Sequence, residues 1–224
     1  MKQNAELQKD VQDAIKWEPL LNAAEIGVTV KEGVVTLTGT VDSYSKKKEA
    51  EDAAKSVAGV TVVVEKIEIK LSSRLASKDD NEIATEVVNA LKWNWQIPDD
   101  RIKVKVEKGW VTLEGEMEWN YQKEAIRDTV KNLMGVTGVS NDIVIKSETR
   151  NVIEEKDIEN ALNRNWSIGD QDISVKASGH VVTLSGTVSS SYQKDEAARI
   201  TWKAPGVWTV NNELVVEYGH EMGD

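Results

Sequence analysis

Residues 33–39 read Gly-Val-Val-Thr-Leu-Thr-Gly, and the same run returns twice further along the chain. The second copy, Gly-Trp-Val-Thr-Leu-Glu-Gly, occupies residues 109–115, and the third, His-Val-Val-Thr-Leu-Ser-Gly, occupies residues 180–186. A further glycine, always followed by valine, comes 20 residues after each run, as position 59 follows position 39 in the first copy. The repeated glycines are therefore Gly39, Gly59, Gly115, Gly135, Gly186 and Gly206.

Landmarks outside these runs keep the same spacing. The pair Ala14-Ile15 returns as Ala90-Leu91 and as Ala161-Leu162, so the copies are offset by 76 residues (90−14) and then by 71 (161−90). Landmarks that stay in register across three copies indicate a triplicated module. The offsets differ because two polar connecting segments, 71–81 and 146–151, differ in length, and we expect both at the surface. The predicted modules span residues 1–71, 82–146 and 152–217.

Within the first copy the apolar pattern changes from a helical period to an alternating one. Apolar residues at 7, 11, 14 and 15 predict an amphipathic helix, and alternation from position 26 predicts a strand. A turn at Glu32-Gly33 leads into a second strand that ends at Gly39, where a Cβ would obstruct a backbone angle or a close approach. A second helix from Lys46 to Val57 and a third strand from Val63 to Ile69 complete the copy.

The three copies together predict an α+β protein made of α-β-β-α-β modules. The corresponding turns are expected at Lys108-Gly109 and Ser178-Gly179, and the third strands at Val139 to Ile145 and Val210 to Val216. A helix joins strands two and three, so we expect them to be parallel, which gives a mixed three-stranded sheet. Both helices should cover the apolar face as a two-layer sandwich. About 65 residues per module is marginal for independent folding, so packing between modules is expected.

Composition excludes several classes of function. Cysteine is absent, which excludes disulfides, thiolate nucleophiles and zinc–thiolate sites. The net charge of −10 argues against general nucleic-acid binding and weakens purely electrostatic attraction to anionic membranes. The sequence has no run of about 18 consecutive apolar residues, so it predicts no transmembrane helix. Residues 1–20 lack the apolar core of a signal peptide; as a native start they predict a cytoplasmic protein, and a periplasmic one if a leader has been removed.

The repeated motifs resemble the BON domain, a module of bacterial osmotic-stress proteins, outer-membrane lipoproteins and some channel-associated proteins. The matching pieces are Val-Thr-Leu-x-Gly, a helix, and then Gly-Val-x-x-Val-x-Asn-x-Ile/Leu at residues 135–143 and 206–214. Copy one has Glu65 where the others have Asn141 and Asn212, so any role of this asparagine is lost or altered there.

The chain also resembles the osmotically inducible periplasmic protein Y type, which is built almost wholly of such domains. That type has two domains and a signal peptide, whereas this chain has three copies and no recognisable signal peptide. The resemblance implies a stress-related, non-enzymatic binding or adaptor protein that associates with phospholipid or another envelope component. The alternative is a soluble protein–protein interaction module with no lipid role.

Catalytic and metal-binding side chains are not expected, and neither is a cofactor. The two histidines are too few and too far apart for most hydrolytic or metal arrangements. His180 takes the turn position of Gly33 and Gly109 and is expected to be solvated, and His220 lies in a tail expected to fray. No candidate catalytic side chain recurs in all three copies.

Tryptophans at the end of helix one are candidate contact residues. Two interpretations remain open for them: they cap the core or seal interfaces between modules, or they form an amphipathic rim that touches lipid headgroups or a partner. Trp119, Trp202 and Trp208 have no aromatic counterparts in the other copies, which predicts that each module has its own surface chemistry. The residues of the cluster are Trp17, Trp93, Trp95 and Trp166.

A basic feature opens helix two. Lysine at a helix start works against the helix dipole, so helix stability does not account for it. Contact with anionic headgroups is one interpretation, and a solvated surface is the other, because carboxylates follow at 49, 51 and 52. The candidates are Lys46, Lys47 and Lys48 in copy one, with Lys123 and Lys194 aligned to Lys47.

Overall fold

A computed structural model of the chain describes residues 3–70, 78–95, 97–98, 101–146 and 153–217. Within these ranges the order helix–strand–strand–helix–strand occurs three times, which confirms the predicted α+β class and its tandem modules. His220 and the rest of the C-terminal tail lie outside the described residues.

The secondary structure elements keep the repeat register. Module 1 contains α1 (Asn4–Trp17), β1 (Ile26–Lys31), β2 (Val34–Val41), α2 (Tyr44–Ser56) and β3 (Val62–Ile69). Module 2 contains α3 (Asp80–Trp93), β4 (Ile102–Glu107), β5 (Trp110–Met117), α4 (Asn120–Lys131) and β6 (Gly138–Ile145). Module 3 contains α5 (Glu155–Asn163), β7 (Ile173–Ser178), β8 (Val181–Val188), α6 (Ser191–Thr201), β9 (Thr209–Asn212) and β10 (Val215–Val216).

Each module has the predicted mixed sheet with strand two in the centre. In module 2, β5 pairs antiparallel with β4 and parallel with β6. In module 3, β8 pairs antiparallel with β7 and parallel with both β9 and β10, so two short strands replace one third strand. Module 1 has the order β1-β2-β3.

Both helices of a module cover one face of its sheet. In module 2, α3 packs on β4, α4 packs on β6, and the two helices contact each other. The core between these layers is apolar and buried, as burial of the inward residues of alternating strands requires. Its largest members are Ile83, Leu91, Leu113, Met117, Ile126 and Ile143.

Three predicted elements differ from the structure, and one helix is shorter than its counterparts. Helix α2 begins at Tyr44, two residues before the predicted start, and it ends at Ser56. Helix α3 begins at Asp80, inside the predicted connecting segment, because Asp79 and Glu82 form a capping box. Helix α5 begins only at Glu155 and has 9 residues where α1 has 14, since Glu154 replaces the first apolar position of the pattern. The third strand of module 3, predicted as continuous, is interrupted at residues 213–214.

The glycine in the middle strand has the predicted steric role but not the predicted place. Gly39 has φ 127°, and a Cβ on it would lie 2.0 Å from the carbonyl oxygen of Glu25. Gly115 and Gly186 face the carbonyls of Arg101 and Asp172 in the same way. The prediction that this glycine ends the strand was wrong: β2 continues to Val41, and only its pairing with β1 stops, at Ile26 opposite Gly39.

The hairpin turn of module 3 also differs from the prediction. Ser178 pairs with Val181, so the turn is Gly179-His180 rather than Ser178-Gly179. Glu32 and Gly33 both have positive φ, whereas in module 3 only Gly179 does. Two positive φ values are typical of a type I′ turn, and one at the first position is typical of a type II′ turn, which needs glycine first.

The prediction that His180 is solvated was wrong, although His180 does lie in the turn. It is half-buried, and its ring stacks on Trp208 with centroids 3.8 Å apart and an interplanar angle of 3°. Its Nδ1 lies 2.8 Å from the carbonyl oxygen of Gly206 and donates to it, since a carbonyl oxygen can only accept. The aromatic pair fixes the hairpin against the loop that precedes β9.

Contacts divide the chain into two compact units. One comprises residues 1–39, 48–68 and 151–224, and the other comprises residues 40–47 and 69–150. In the first unit, the hydroxyl of Ser191 on α6 lies 3.1 Å and 3.2 Å from the carbonyl oxygens of Val60 and Thr61. Modules 1 and 3, which are not neighbours in sequence, thus contact each other.

Candidate interaction surface after helix one

The four tryptophans at the end of helix one project into solvent. The exposed fractions of their side chains are 87% for Trp17, 88% for Trp93, 90% for Trp95 and 92% for Trp166. Side chains this exposed do not cap the core of their own module, so that interpretation is wrong. Contact with lipid headgroups or a partner remains a prediction.

The segments that carry these tryptophans have one geometry in all three modules. We call them the exit loops: residues 17–21, 93–97 and 164–168, of which residue 96 lies outside the description. In each loop one residue donates its N–H to the last buried residue of helix one and accepts from the N–H three residues on. These N–H to carbonyl bonds are Glu18 to Ile15 and Leu21 to Glu18 in module 1, Asn94 to Leu91 and Ile97 to Asn94 in module 2, and Asn165 to Leu162 and Ile168 to Asn165 in module 3.

Buried anchors at both ends explain why the tryptophans face outward. In module 2, Leu91 precedes the exit loop and Ile97 follows it, and both side chains are buried in the core. In module 3, Leu162 and Ile168 do the same. Only a short turn separates the anchors, so the side chains between them have no route to the core. Sequence reasoning missed this, although the apolar residues at 21, 97 and 168 keep the repeat register.

A side-chain amide ties two of the exit loops to helix two. Asn94 Nδ2 donates to Thr129 Oγ1 over 3.0 Å, and Asn165 Nδ2 donates to Glu196 Oε1 over 3.1 Å. Module 1 has Glu18 at the equivalent position. The tryptophans of modules 2 and 3 therefore stand on loops fixed by hydrogen bonds on two sides.

Glu196 is a buried carboxylate in this arrangement, with only 8% of its surface exposed. Arg199 Nε donates to its Oε2 over 2.6 Å. These hydrogen bonds from Arg199 hold the pKa of Glu196 below its ordinary value, and the same contact raises the pKa of Arg199. The ionised carboxylate accepts from both Arg199 and the exit-loop residue Asn165, so its charge links helix two to the loop.

We expect replacement Glu196→Gln to cost on the order of 1 kcal/mol of unfolding free energy at pH 7. Because the folded-state pKa is lowered, the stabilisation is present above the ordinary glutamate pKa of about 4.3 and is lost as pH falls through the lower folded pKa. Denaturant unfolding across pH 3 to 7 should show the difference between wild type and variant shrinking in acid. The exposed Glu213→Gln is the control, and a pH-independent difference would contradict the assignment.

Two of the three lysines that open α2 contact carboxylates. Lys46 Nζ lies 2.7 Å from Asp42 Oδ2, which lowers the pKa of Asp42. Lys48 Nζ lies 3.1 Å from Glu51 and 3.0 Å from Asp52. Burial alone would lower the pKa of Lys48, but these two carboxylates together raise it. Lys47, which lies between Lys46 and Lys48 in the sequence, is half-buried. Lys46 and Lys48 are thus neutralised locally. Headgroup contact by this cluster remains a prediction.

Lys123 and Lys194 hold the third strand in place. Lys123 Nζ donates to the carbonyl of Ile143 over 2.7 Å, and burial of this ammonium lowers its pKa. In return, Asn141 Nδ2 donates to the carbonyl of Lys123 over 2.8 Å. Lys194, Leu214 and Asn212 repeat the arrangement in module 3. Module 1 has Glu65 in place of the asparagine, and a carboxylate cannot donate to the carbonyl on helix two. Glu65 keeps the other bond, because its side chain accepts from the N–H of Ile67 as Asn212 accepts from the N–H of Leu214.

We call the reciprocal hydrogen bonds between the lysine of helix two and the third strand the clasp. Because Asn212 supplies one of these bonds, we expect Asn212→Asp to destabilise the protein. The aspartate has the same shape, but it loses the N–H that donates to Lys194 and places a carboxylate against a carbonyl oxygen. We expect a loss of about 1–3 kcal/mol in denaturant unfolding. The neighbouring exposed Asn211→Asp makes the same chemical change without a clasp and should change the unfolding free energy by less than about 0.5 kcal/mol. Equal losses for the two variants would show that the clasp contributes nothing.

Two searches of the described residues bear on function. No helix there is long and apolar enough to cross a membrane. In the same ranges, no group of three or more histidine, aspartate and glutamate side chains is placed to hold a metal ion.

Comparisons with known proteins give a sequence relative and a structural match. The chain is 30% identical over 129 residues to osmotically-inducible protein Y of Escherichia coli strain K12, a match that covers 56% of this chain and 64% of that protein. Among solved structures, CdsD, a structural protein of the type III secretion system of Chlamydia trachomatis, is 17% identical and covers 95% of this chain and 93% of that chain. Its TM-score of 0.26 is too low to support a shared arrangement.

The family assignment rests on the three modules themselves. The family model for the BON domain matches residues 3–70, 79–147 and 153–218, which together make up most of the chain. Each matched range contains one complete helix–strand–strand–helix–strand unit. The chain therefore belongs to the BON domain family and carries three copies of that domain.

Proposed function

We propose that this chain is a non-enzymatic, stress-related binding protein that docks on phospholipid surfaces of the cell envelope through the exit loops of its modules. The observation that carries the proposal is the placement of four tryptophans, each at least 87% exposed, on the same loop of every module. Exposed apolar patches rimmed by polar residues mark protein or membrane interaction sites.

The indole ring suits the boundary of a bilayer. Its apolar body favours the acyl side, and its N–H favours the polar headgroups, which is why tryptophan is enriched at membrane interfaces. Module 1 adds Leu20, which is 63% exposed and lies three residues after Trp17. Shallow insertion of such side chains requires no transmembrane helix.

Three modules allow a weak contact to become a strong attachment. Once one exit loop has bound, the others act at a high local concentration of lipid, and linked weak sites can gain about 10²–10⁴ in overall affinity. The family membership and the similarity to a protein named for osmotic induction support a role under stress. Phospholipid faces both the cytoplasm and the extracytoplasmic space, so the proposal holds for either compartment.

Vesicle flotation tests this function. Purified protein is mixed with phosphatidylcholine vesicles, with or without phosphatidylglycerol, at low and at physiological salt. We expect the protein to float with the vesicles at both salt concentrations, because the contact is made by indole rings rather than by long-range charge. Absence from the floating fraction under every condition would contradict the proposal and favour the competing function, a soluble protein-interaction module.

A further inference from the structure

Modules 1 and 3 contact each other through two complementary patches. In module 3, the hydroxyl of Ser191 donates to the carbonyl oxygens of Val60 and Thr61 in module 1, over 3.1 Å and 3.2 Å. Four residues further along α6, Asp195 Oδ2 lies 3.6 Å from Lys55 Nζ. We call Ser191 and Asp195 the acidic patch of module 3. Lys55 and the carbonyls of Val60 and Thr61 form the lysine patch of module 1.

Module 2 repeats the lysine patch of module 1. Lys131 aligns with Lys55, and the sequence Gly-Val-Thr at residues 59–61 returns at residues 135–137. In both modules the valine N–H donates to the carbonyl three residues earlier, over 3.1 Å in module 1 and 3.3 Å in module 2. The threonine N–H donates to the glycine carbonyl of the hairpin turn over 2.9 Å in each. Module 2 therefore holds its two carbonyls in the arrangement that accepts from Ser191 in module 1.

Module 2 also has an acidic patch like that of module 3. Asn120 is the first residue of α4, as Ser191 is the first residue of α6. The side-chain amide of Asn120 can donate to a carbonyl oxygen, as the serine hydroxyl does. Glu124 stands four residues later, where module 3 has Asp195. Module 2 thus carries one patch of each kind.

The other two modules carry one patch each, by sequence. Module 1 has Lys48 in place of the carboxylate, and a lysine there would repel a lysine patch. Module 3 has Trp202 in place of the patch lysine, and Trp208, which stacks on His180, in place of the threonine. Modules 1 and 3 use their single patches on each other. Complements for both patches of module 2 are therefore found on module 2 of a second copy.

We propose that two copies of this chain associate through helix two of module 2, with the acidic patch of each copy against the lysine patch of the other. The patches lie at opposite ends of α4, separated by about 16 Å for the 11 residues from Asn120 to Lys131 (131−120). Two α4 helices that lie antiparallel and side by side bring both pairs of patches together at once. Such a contact uses the same surface on both copies and closes at two.

Ion pairs within α4 do not prevent this contact. Lys131 Nζ lies 2.9 Å from a carboxylate of its own helix, and Glu124 contacts an arginine one turn further on. Lys55 likewise lies 2.9 Å from Glu51 and still contacts Asp195. The side chain of Lys131 is 30% exposed, against 26% for Lys55. Exposed ion pairs contribute little stability, so we expect a dimer that forms at high protein concentration and dissociates on dilution.

Charge reversal in the full-length chain tests the dimer, with sedimentation velocity over a concentration series as the measurement. Glu124→Lys or Lys131→Glu alone places like charges at both contacts of a dimer, and we expect each to weaken dimerisation about tenfold or more. In an equimolar mixture of the two variants, a dimer with one copy of each has opposite charges at both contacts. We expect the mixture to dimerise like wild type. This recovery also shows that both variants are folded.

Glu114→Lys and Lys103→Glu are the matched controls, because they make the same charge changes at exposed positions of the module 2 sheet. Neither control should change dimerisation, alone or mixed. Asp195→Lys should leave it unchanged as well, since that patch serves the contact between modules 1 and 3. A wild-type chain that stays monomeric at every concentration would overturn the inference, and so would a mixture that does not recover. Loss of the dimer with Asp195→Lys but not with Glu124→Lys would also overturn it, because the copies would then exchange modules 1 and 3.

Discussion

A variant with alanine at positions 17, 93, 95 and 166 should bind phospholipid vesicles about 100-fold more weakly than wild type, and it should unfold at the same denaturant concentration. The replaced indoles contact solvent over almost their entire surface, so their removal creates no cavity and costs the fold little. Loss of all four removes the apolar contact from every module at once, and with it the gain in affinity from linked sites. Vesicle flotation and urea unfolding of the same preparation measure the two quantities.

Trp110→Ala is the matched control for this variant. Trp110 is half exposed on the outer face of the module 2 sheet, where its Nε1 donates to Ser140 Oγ over 3.0 Å. It lies on a strand rather than on an exit loop, so its removal should leave vesicle binding unchanged. A four-site variant that still binds like wild type would contradict the proposed surface, and so would an equal loss caused by Trp110→Ala.

The largest effect on stability is expected from Gly39→Ala. The added Cβ would lie 2.0 Å from the carbonyl oxygen of Glu25. In addition, Gly39 has a φ of 127°, which residues other than glycine rarely adopt. The carbonyl of Glu25 belongs to the backbone and cannot rotate away as a side chain can. To relieve the clash, the start of β1 must therefore move away from β2. We expect a loss of about 3 kcal/mol in the free energy of unfolding, measured by urea denaturation.

Gly27→Ala is the control, because it makes the same substitution in the same hairpin without a clash against the backbone. Gly27 lies on β1 of the same hairpin, and a Cβ there would lie 2.7 Å from Thr38 Oγ1 and 3.9 Å, an ordinary contact distance, from the carbonyl oxygen of Thr38. That hydroxyl is the end of a rotatable side chain and can move. We expect a change within about 1 kcal/mol. If both variants lost the same stability, the close approach at Gly39 would not be the cause.

The fold could be predicted because the sequence contains three copies of the same module. Three copies in register separate the positions that every module needs, such as Gly39 and its equivalents, from those that vary. Apolar period then distinguishes helix from strand, and the crossover rule orders the sheet. The boundaries were less predictable, because a capping box at Asp79 or a glutamate at position 154 moves a helix end by local hydrogen bonding.

The candidate surface could be located from the sequence but not described. The clustering of tryptophan after helix one was visible, whereas exposure depends on how closely Leu91 and Ile97 anchor the loop between them. Lys123 shows the reverse case: its alignment with Lys47 indicated a shared role, but only the position of the Ile143 carbonyl shows that the role is structural. Local sequence carries no information about such a distant main-chain partner.

The pairing of His180 with Trp208 had a signal that was overlooked. Both residues depart from the repeat in copy three, where copies one and two have glycine and threonine at the equivalent positions. Two departures in one copy, at sites that the other copies place next to each other, indicate a compensating contact. Module 2 has a different contact at this place, a hydroxyl of Thr137 that donates to the carbonyl oxygen of the turn residue Lys108 over 3.1 Å.

The central claim is that the exit loops face lipid, and the absence of cysteine allows a direct measurement. A single cysteine replaces Leu20 beside Trp17 in one variant and Lys31 on β1 in another, and each carries a polarity-sensitive fluorophore. On addition of phosphatidylcholine vesicles, we expect the emission at position 20 to shift to the blue and the emission at position 31 to stay unchanged. An unchanged signal at position 20, or an equal shift at position 31, would contradict the account.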